Sequence, residues 1–318
     1  MKVSVYCCVF NHEKYIRDAL EGFVNQITNF DYEVFVHDDA STDFSAQIIK
    51  EYAEKYPKII KPIFQKENQY SKNTLIFDDV LFPLMSGDYI AVCEGDDYWI
   101  DNNKLQKQVD FLDSHLEYSA CVHNSYVLNV RTNEKKIMFK QEEHDICLLD
   151  VIKGGSACYQ TASLMYRRQY AQNRPDFYYN AVKNKFGDYP LSIYLALNNN
   201  IKFLNCISSV YRVGTSSSWT AMNIRDPHKN ALYHKNAATM LKEVDKYSNY
   251  KYTAEIKKVI LNHKFKELYF DGKYKELRRG DYRTIYKMQS KSYRLKTYVK
   301  QYFGRLYDIY RKQKYKNI

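Results

Sequence analysis

The first 93 residues carry four short apolar runs separated by amphipathic stretches, and this alternation constrains the fold more than any other feature. Residues 3–10 form a continuous apolar run rich in β-branched side chains, as expected of a strand covered on both faces. Asn11 follows as a helix cap, and Ile16, Leu20, Phe23 and Val24 recur at helical spacing. Residues 32–37 read as a second strand. A turn-and-cap cluster, Asp38 to Asp43, then leads into a helix with Ile48, Ile49, Tyr52 and Ala53 on one face. Residues 59–64 read as a third strand, 73–85 as a helix and 89–93 as a fourth strand. The order β-α-β-α-β-α-β predicts an α/β fold with a mostly parallel sheet and helices on both faces. Ligands of such sheets bind beyond the carboxyl ends of the strands.

The pattern continues with a helix at 104–116, a strand at 120–130, a charged loop at 131–144, a helix at 189–197, and short strands near Phe203 and at 210–213. These segments complete a first domain, residues 1–222. Residues 223–318 read as a helical region with few turn signals except Gly272 and Gly280. The two parts differ in charge. The chain carries 48 Lys and Arg against 37 Asp and Glu, net +11, yet residues 251–318 alone hold 20 basic and 6 acidic side chains. The first 250 residues are therefore slightly acidic, and the basic excess, with 11 of the 32 tyrosines, belongs to the C-terminal helices. Seven cysteines scatter without a CxxC pair, which predicts reduced core thiols in a cytoplasmic protein and neither a disulfide frame nor a zinc site. The N-terminus enters a strand directly and no run of about 18 apolar residues occurs, which predicts no signal peptide and no spanning helix.

Polar clusters fall where the strands end. Cys93-Glu94-Gly95-Asp96-Asp97-Tyr98-Trp99 places three carboxylates beside a glycine. Such groups repel one another unless a cation neutralises them, and hard oxygens suit Mg²⁺ or Mn²⁺, which favours a phosphate-bearing substrate. A solvated acidic turn leading to a cap at Asp101 is the alternative. In His37-Asp38-Asp39-Ala40-Ser41-Thr42-Asp43, Asp39 suits a nucleobase or ribose, while Ser41, Thr42 or Asp43 caps the next helix.

In chain order, residues 3–11 with Glu13, then Asp38 to Asp43, then Gly87-Asp88-Tyr89-Ile90 leading to Glu94 through Trp99, resemble glycosyltransferase family 2. The resemblance implies a GT-A fold with a Rossmann-like sheet, here followed by a C-terminal helical extension. It also implies a nucleotide-sugar donor, a divalent metal (Mn²⁺ or Mg²⁺) and inversion at the anomeric carbon. By the same resemblance Cys8, Phe10 and Asp39 line the base and ribose pocket, with Asn11 and Glu13 at its edge. Asp96 contacts ribose or sugar, and Asp97 binds the metal. Phe186-Gly187-Asp188, before a helix, resembles the place of the family's catalytic carboxylate. Asp188 is then the base on the acceptor hydroxyl, with helix capping as its alternative role. Gln160 through Arg168 resembles the place of the family's acceptor- and sugar-facing strand, so Thr161 faces the sugar. Tyr211-Arg212-Val213-Gly214 resembles a Tyr-Arg-x-His segment in which Gly214 replaces the histidine. Arg212, Ser216 or Ser217 then serve the diphosphate, and residues 216–219 form a mobile loop over the crevice.

The resemblance covers residues 1–220. It implies transfer of a hexosyl or N-acetylhexosaminyl group from a nucleotide-diphosphate donor, UDP by default, to a saccharide or lipid-linked acceptor in bacterial surface polysaccharide synthesis. A non-catalytic nucleotide-sugar or polysaccharide-binding subunit on the same fold is the alternative. In the C-terminal helices Leu295, Val299, Tyr302 and Phe303, followed by Leu306 and Tyr310, share one face, with Arg294, Lys296, Lys300 and Arg305 around it. That pattern suits either an anionic membrane surface contacted through 281–318, peripheral on the inner face of the cell membrane, or a helix packed on the catalytic body. No nucleic-acid module occurs, and no nucleic-acid partner is expected.

Overall fold

The four apolar runs become β1 (Val3–Val9), β2 (Tyr32–Asp38), β3 (Ile60–Phe64) and β4 (Tyr89–Val92), paired in parallel in the order β3-β2-β1-β4. The structure is a computed structural model describing residues 1–184, 186–215 and 226–314, with backbone alone at Ser156 and 305–314. It divides into two units, Met1–Met222 and Asn223–Ile318.

In the first unit every residue of β2 and β4 is buried, as a sheet covered on both faces requires. α1 (Ile16–Val24) buries Ile16, Ala19, Leu20 and Phe23, and α2 (Ser45–Lys55) buries Ile48, Ile49 and Tyr52. The sheet continues beyond β4 through β9 (Met165–Arg167), β6 (Tyr118–Asn129), β10 (Asn200–Val213) and β5 (Tyr98–Trp99). β6 and β10 are parallel, whereas β9 runs antiparallel to both β4 and β6. α3 (Lys104–Ser114) buries Leu105, Val109 and Leu112, and α4 (Leu148–Gly154), α5 (Asp176–Lys183) and α6 (Asp188–Asn198) follow among the described residues of this unit. The chain leaves β1 for β2 and β3 on one side and returns to place β4 on the other. The strand order therefore reverses at β1, where open α/β sheets hold their ligands.

Three expectations change. Residues 73–85 are no regular helix: a turn of π-helix, Ile76–Leu81, passes into a 3₁₀ turn, Phe82–Leu84, because Pro83 cannot donate to a helical ladder. Residues 131–144 hold β7 (Glu134–Ile137), a hairpin partner of β6 turned by Asn133 at φ 56°. All four β7 residues are exposed, so its polarity hid the strand. The two short strands near Phe203 and 210–213 are one strand, β10, bulged between Leu204 and Ser209; β8 (His144–Ile146) pairs with its first half.

The second unit contains α7 (Pro227–Tyr247), α8 (Thr253–Phe270), α9 (Tyr282–Met288) and α10 (Lys291–Lys314). Asp226 caps α7 by accepting from the N–H groups of His228 and Lys229. α7 buries Ala237, Met240, Leu241 and Val244, and a small separate core of this unit joins Phe265, Leu277 and Tyr286, with Tyr269, Tyr274 and Tyr293 packed against it. Tyrosine therefore serves as core material here. No helix among the described residues is long and apolar enough to cross a membrane. All seven cysteines are free, with Cys7, Cys93 and Cys121 buried.

Candidate active site

The acidic loop is stitched to the end of β1: the Cys93 N–H donates to Tyr6 O at 3.1 Å and the Gly95 N–H to Cys8 O at 3.1 Å. A Cβ on Gly95 would lie 2.8 Å from His12 Nδ1 and 2.9 Å from Val9 Cγ2, so only glycine lets the loop approach β1 this closely. The turn Asp97 N–H to Glu94 O, 3.0 Å, then directs the three carboxylates differently.

Asp97 points into the protein. It is 3 % exposed, its Oδ1 accepts from the Arg212 N–H at 2.8 Å, and its Oδ2 accepts from Gln160 Nε2 at 2.7 Å. Burial, with the adjacent Asp96 charge, raises its carboxyl well above the ordinary range despite the Arg212 N–H. Asp97 thus ties the β4 loop to β10 and to the turn at Thr161–Ser163. The Arg212 guanidinium is likewise engaged internally. It pairs with Asp18, donates to Asp96 O at 3.0 Å, and lies 4.3 Å from the Tyr98 ring centroid and 5.2 Å from that of Tyr15.

Glu94 and Asp96 are half-buried, and the outer oxygen of Asp96 meets Thr215 Oγ1 at 3.5 Å. The Glu94 carboxyl is pushed up to about 8, first by burial and then by the charges of Asp188 and Asp96. Asp188 is therefore close enough to be felt electrostatically. It is the first residue of α6, whose cap position is Gly187, and its Oδ2 meets the Thr161 hydroxyl at 3.5 Å. Its side chain is exposed in the crevice, yet crowding by surrounding protein raises its carboxyl above the ordinary value, with the Thr161 bond opposing. Glu94, Asp96, Thr161 and Asp188 thus come together beyond the ends of β1 and β4.

The remaining predicted positions lie at and just after the ends of β1 and β2. Cys8 is half-buried and Phe10 is 41 % exposed. Asn11 adopts φ 57° and accepts from the Thr42 N–H at 2.8 Å. It therefore braces a loop and does not cap α1. Glu13 accepts from the Phe44 N–H at 3.1 Å, and its own N–H donates to Asp43 Oδ2 at 3.0 Å, so the loops after β1 and β2 are laced together. Asp39 is 4 % exposed, with its carboxylate oxygens accepting from the N–H groups of Gln69, 2.6 Å, and Tyr70, 3.0 Å. Ser216 to Trp219 lie outside the described residues.

Gln160, His12 and the Gln69–Tyr70 turn are contributors that the motif reading did not assign. Gln160 reaches Asp97 across 63 positions, a separation that no local spacing reveals. Among the described residues no three His, Cys, Asp or Glu side chains form a metal cage. Glu94 and Asp96 nonetheless fit a phosphate-bridging cation, which needs one or two protein carboxylates and draws its other ligands from phosphate and water. Beyond burial, the neighbouring charges of Asp188 and Asp96 also raise Glu94, and it is this part of the shift that such a cation would relieve.

Sequence comparison matches the model of glycosyl transferase family 2 over residues 4–174, more than half of the chain. An uncharacterized protein of Mycobacterium tuberculosis is 47% identical over 38% of this chain and 34% of its own length. The poly(ribitol-phosphate) beta-glucosyltransferase of Bacillus spizizenii is 28% identical over 47% of this chain and 23% of its own. The chain therefore aligns with about a third or less of the length of these relatives. Among solved structures, Staphylococcus aureus TarS in complex with UDP-GlcNAc superposes with TM-score 0.59 at 21% identity, covering 85% of this chain and 73% of that one. The superposition carries the fold, the matched span carries both acidic motifs, and the chain belongs to glycosyltransferase family 2.

Proposed function

We propose that the chain is an inverting glycosyltransferase that moves a sugar from a nucleotide-diphosphate donor, a UDP-sugar, to a hydroxyl of a saccharide or lipid-linked acceptor in bacterial surface polysaccharide synthesis. The observation that carries this reading is the meeting of Glu94, Asp96, Thr161 and Asp188 beyond the strand ends. The UDP-GlcNAc bound by TarS and the poly(ribitol-phosphate) named for the Bacillus spizizenii relative support the donor and acceptor classes.

Asp188 takes the proton of the acceptor hydroxyl as that oxygen attacks the anomeric carbon, and the bond to the departing diphosphate breaks with its electrons. A carboxylate held above its ordinary pKa is a stronger base for this step. Thr161 orients Asp188 through its hydroxyl. Glu94 and Asp96 are the residues that would hold Mn²⁺ or Mg²⁺. The cation, when bound, neutralises charge on the leaving diphosphate. Asp97, with both oxygens engaged, is assigned to fixing the loop that presents them. Cys8 and Phe10 offer a wall for the base. Arg212 supports the loop from behind through Asp96 O and Asp18.

The test is donor binding by calorimetry and product formation with UDP-GlcNAc and UDP-glucose, with and without Mn²⁺, in wild type and Asp188→Asn. The reading expects unchanged donor affinity and turnover reduced by about 10² or more in the variant. Full turnover by Asp188→Asn removes Asp188 as the base, and donor binding without turnover by the wild type indicates a binding subunit.

A further inference from the structure

α10 is packed with its polar side inward. Thr297 is fully buried, its hydroxyl 2.9 Å from Tyr286 OH, and Tyr293 stacks on Tyr269 at 5.1 Å. Lys300 lies 4.8 Å from the Tyr269 ring centroid, and Gln301 is bonded to Arg278. These four positions follow helical spacing and define the side that faces the small tyrosine-rich core. The opposite side carries Leu295, 65 % exposed, Tyr298, 46 %, Tyr302, 62 %, and Phe303, 59 %. At about 100° per residue these side chains form one stripe about 140° wide, and Phe303 sits where the backbone leaves helical geometry at φ −128°. An ordinary surface helix buries such a stripe and exposes its lysines.

Charge tells what would cover it. Between 279 and 304 the exposed ionisable residues are Arg279, Arg283, Lys287, Lys291 and Lys296 against the single acid Asp281. A second copy of the chain would bring like charges together. An anionic lipid surface complements them, takes Leu and Phe into its interfacial region and accommodates Tyr rings at headgroup depth.

We propose that the stripe Leu295, Tyr298, Tyr302 and Phe303 of α10, flanked by Lys291 and Lys296, is the seat of an anionic lipid surface. The site lies wholly within the second unit and does not rest on the transferase reading.

Flotation of the full chain with vesicles of phosphatidylcholine plus phosphatidylglycerol, and of phosphatidylcholine alone, tests this. The wild type should float with the anionic vesicles at low salt and much less at high salt. The exposed pair Leu295→Ser with Phe303→Ser, and separately Lys291→Glu with Lys296→Glu, should each reduce partition about tenfold or more, with unchanged melting temperature. Equal flotation of the wild type and the folded charge-reversal variant overturns the proposal, as does equal binding to neutral vesicles. Self-association in sedimentation velocity without lipid, lost in the Leu295→Ser, Phe303→Ser variant, overturns it in favour of a second copy. Binding of a single-stranded RNA in place of vesicles overturns it in favour of nucleic acid.

Discussion

Lys104 opens α3 with its side chain inside the protein, 1 % exposed, and its Nζ has no hydrogen-bond partner among the described residues while lying 3.7 Å from the centroid of the Trp99 ring. Burial lowers its pKa from the ordinary 10.5 to about 7, against the weaker opposing pull of nearby thiols led by Cys93. A lysine so lowered binds fewer protons folded than unfolded, so stability increases with pH between about 7 and about 10.5. The linkage penalty on the folded state is about 4 kcal/mol at pH 7 and about 2 kcal/mol at pH 9. Lys104→Met keeps the chain length and removes the titration, while loss of the cation over Trp99 offsets about 1 kcal/mol. The variant should therefore be more stable than wild type by about 3 kcal/mol at pH 7 and about 2 kcal/mol at pH 9, where the folded lysine is already neutral and no cation over Trp99 is lost. Urea unfolding across that pH range measures both. His123 supplies an independent readout: it is held down to about 3 by burial and then by the Lys104 charge, so its NMR titration should move upward in the variant. A variant less stable than wild type at pH 7, or a difference that does not shrink with pH, would refute the reasoning.

Other outcomes separate the carboxylates of the acidic loop. Asp97→Ala leaves the Arg212 N–H and Gln160 Nε2 without their acceptor and should cost about 2–4 kcal/mol in chemical denaturation, whereas Asp96→Asn should leave stability near wild type and abolish the Mn²⁺-dependent part of donor binding by calorimetry. Glu94, raised from 4.5 to about 8, binds more protons folded than unfolded, so it makes stability fall as pH rises through that window. Glu94→Gln should flatten the pH dependence of the melting temperature there, and an unchanged slope would show that its charge is already compensated.

The motif residues were legible because their chemistry is local. Asp38 to Asp43 and Glu94 to Asp97 announce themselves as clustered acids after apolar runs, and β1 to β4 follow from those runs. The roles within each cluster were not legible. Asp96 and Asp97 are adjacent and chemically alike, yet one faces the crevice and the other the interior. Arg212 looked like a phosphate ligand, but its guanidinium reaches Asp18, 194 positions earlier. Asp39 looked available for a ligand, but its oxygens receive the Gln69 and Tyr70 N–H groups.

Taken alone, the sequence determined the family, the parallel character of the first four strands, the strand ends where the carboxylates gather and the concentration of cations and tyrosines after residue 250. Apolar periodicity and clustered charge are short-range properties, so they survive in one dimension. Only the tertiary structure decided which carboxylate oxygens are already satisfied, that Asp188 joins Glu94 across the sheet, and that α10 turns its apolar stripe outward. Each of these depends on partners tens to nearly two hundred positions away. Hydrogen-bond satisfaction and burial are set by which distant groups meet, and this no local pattern records.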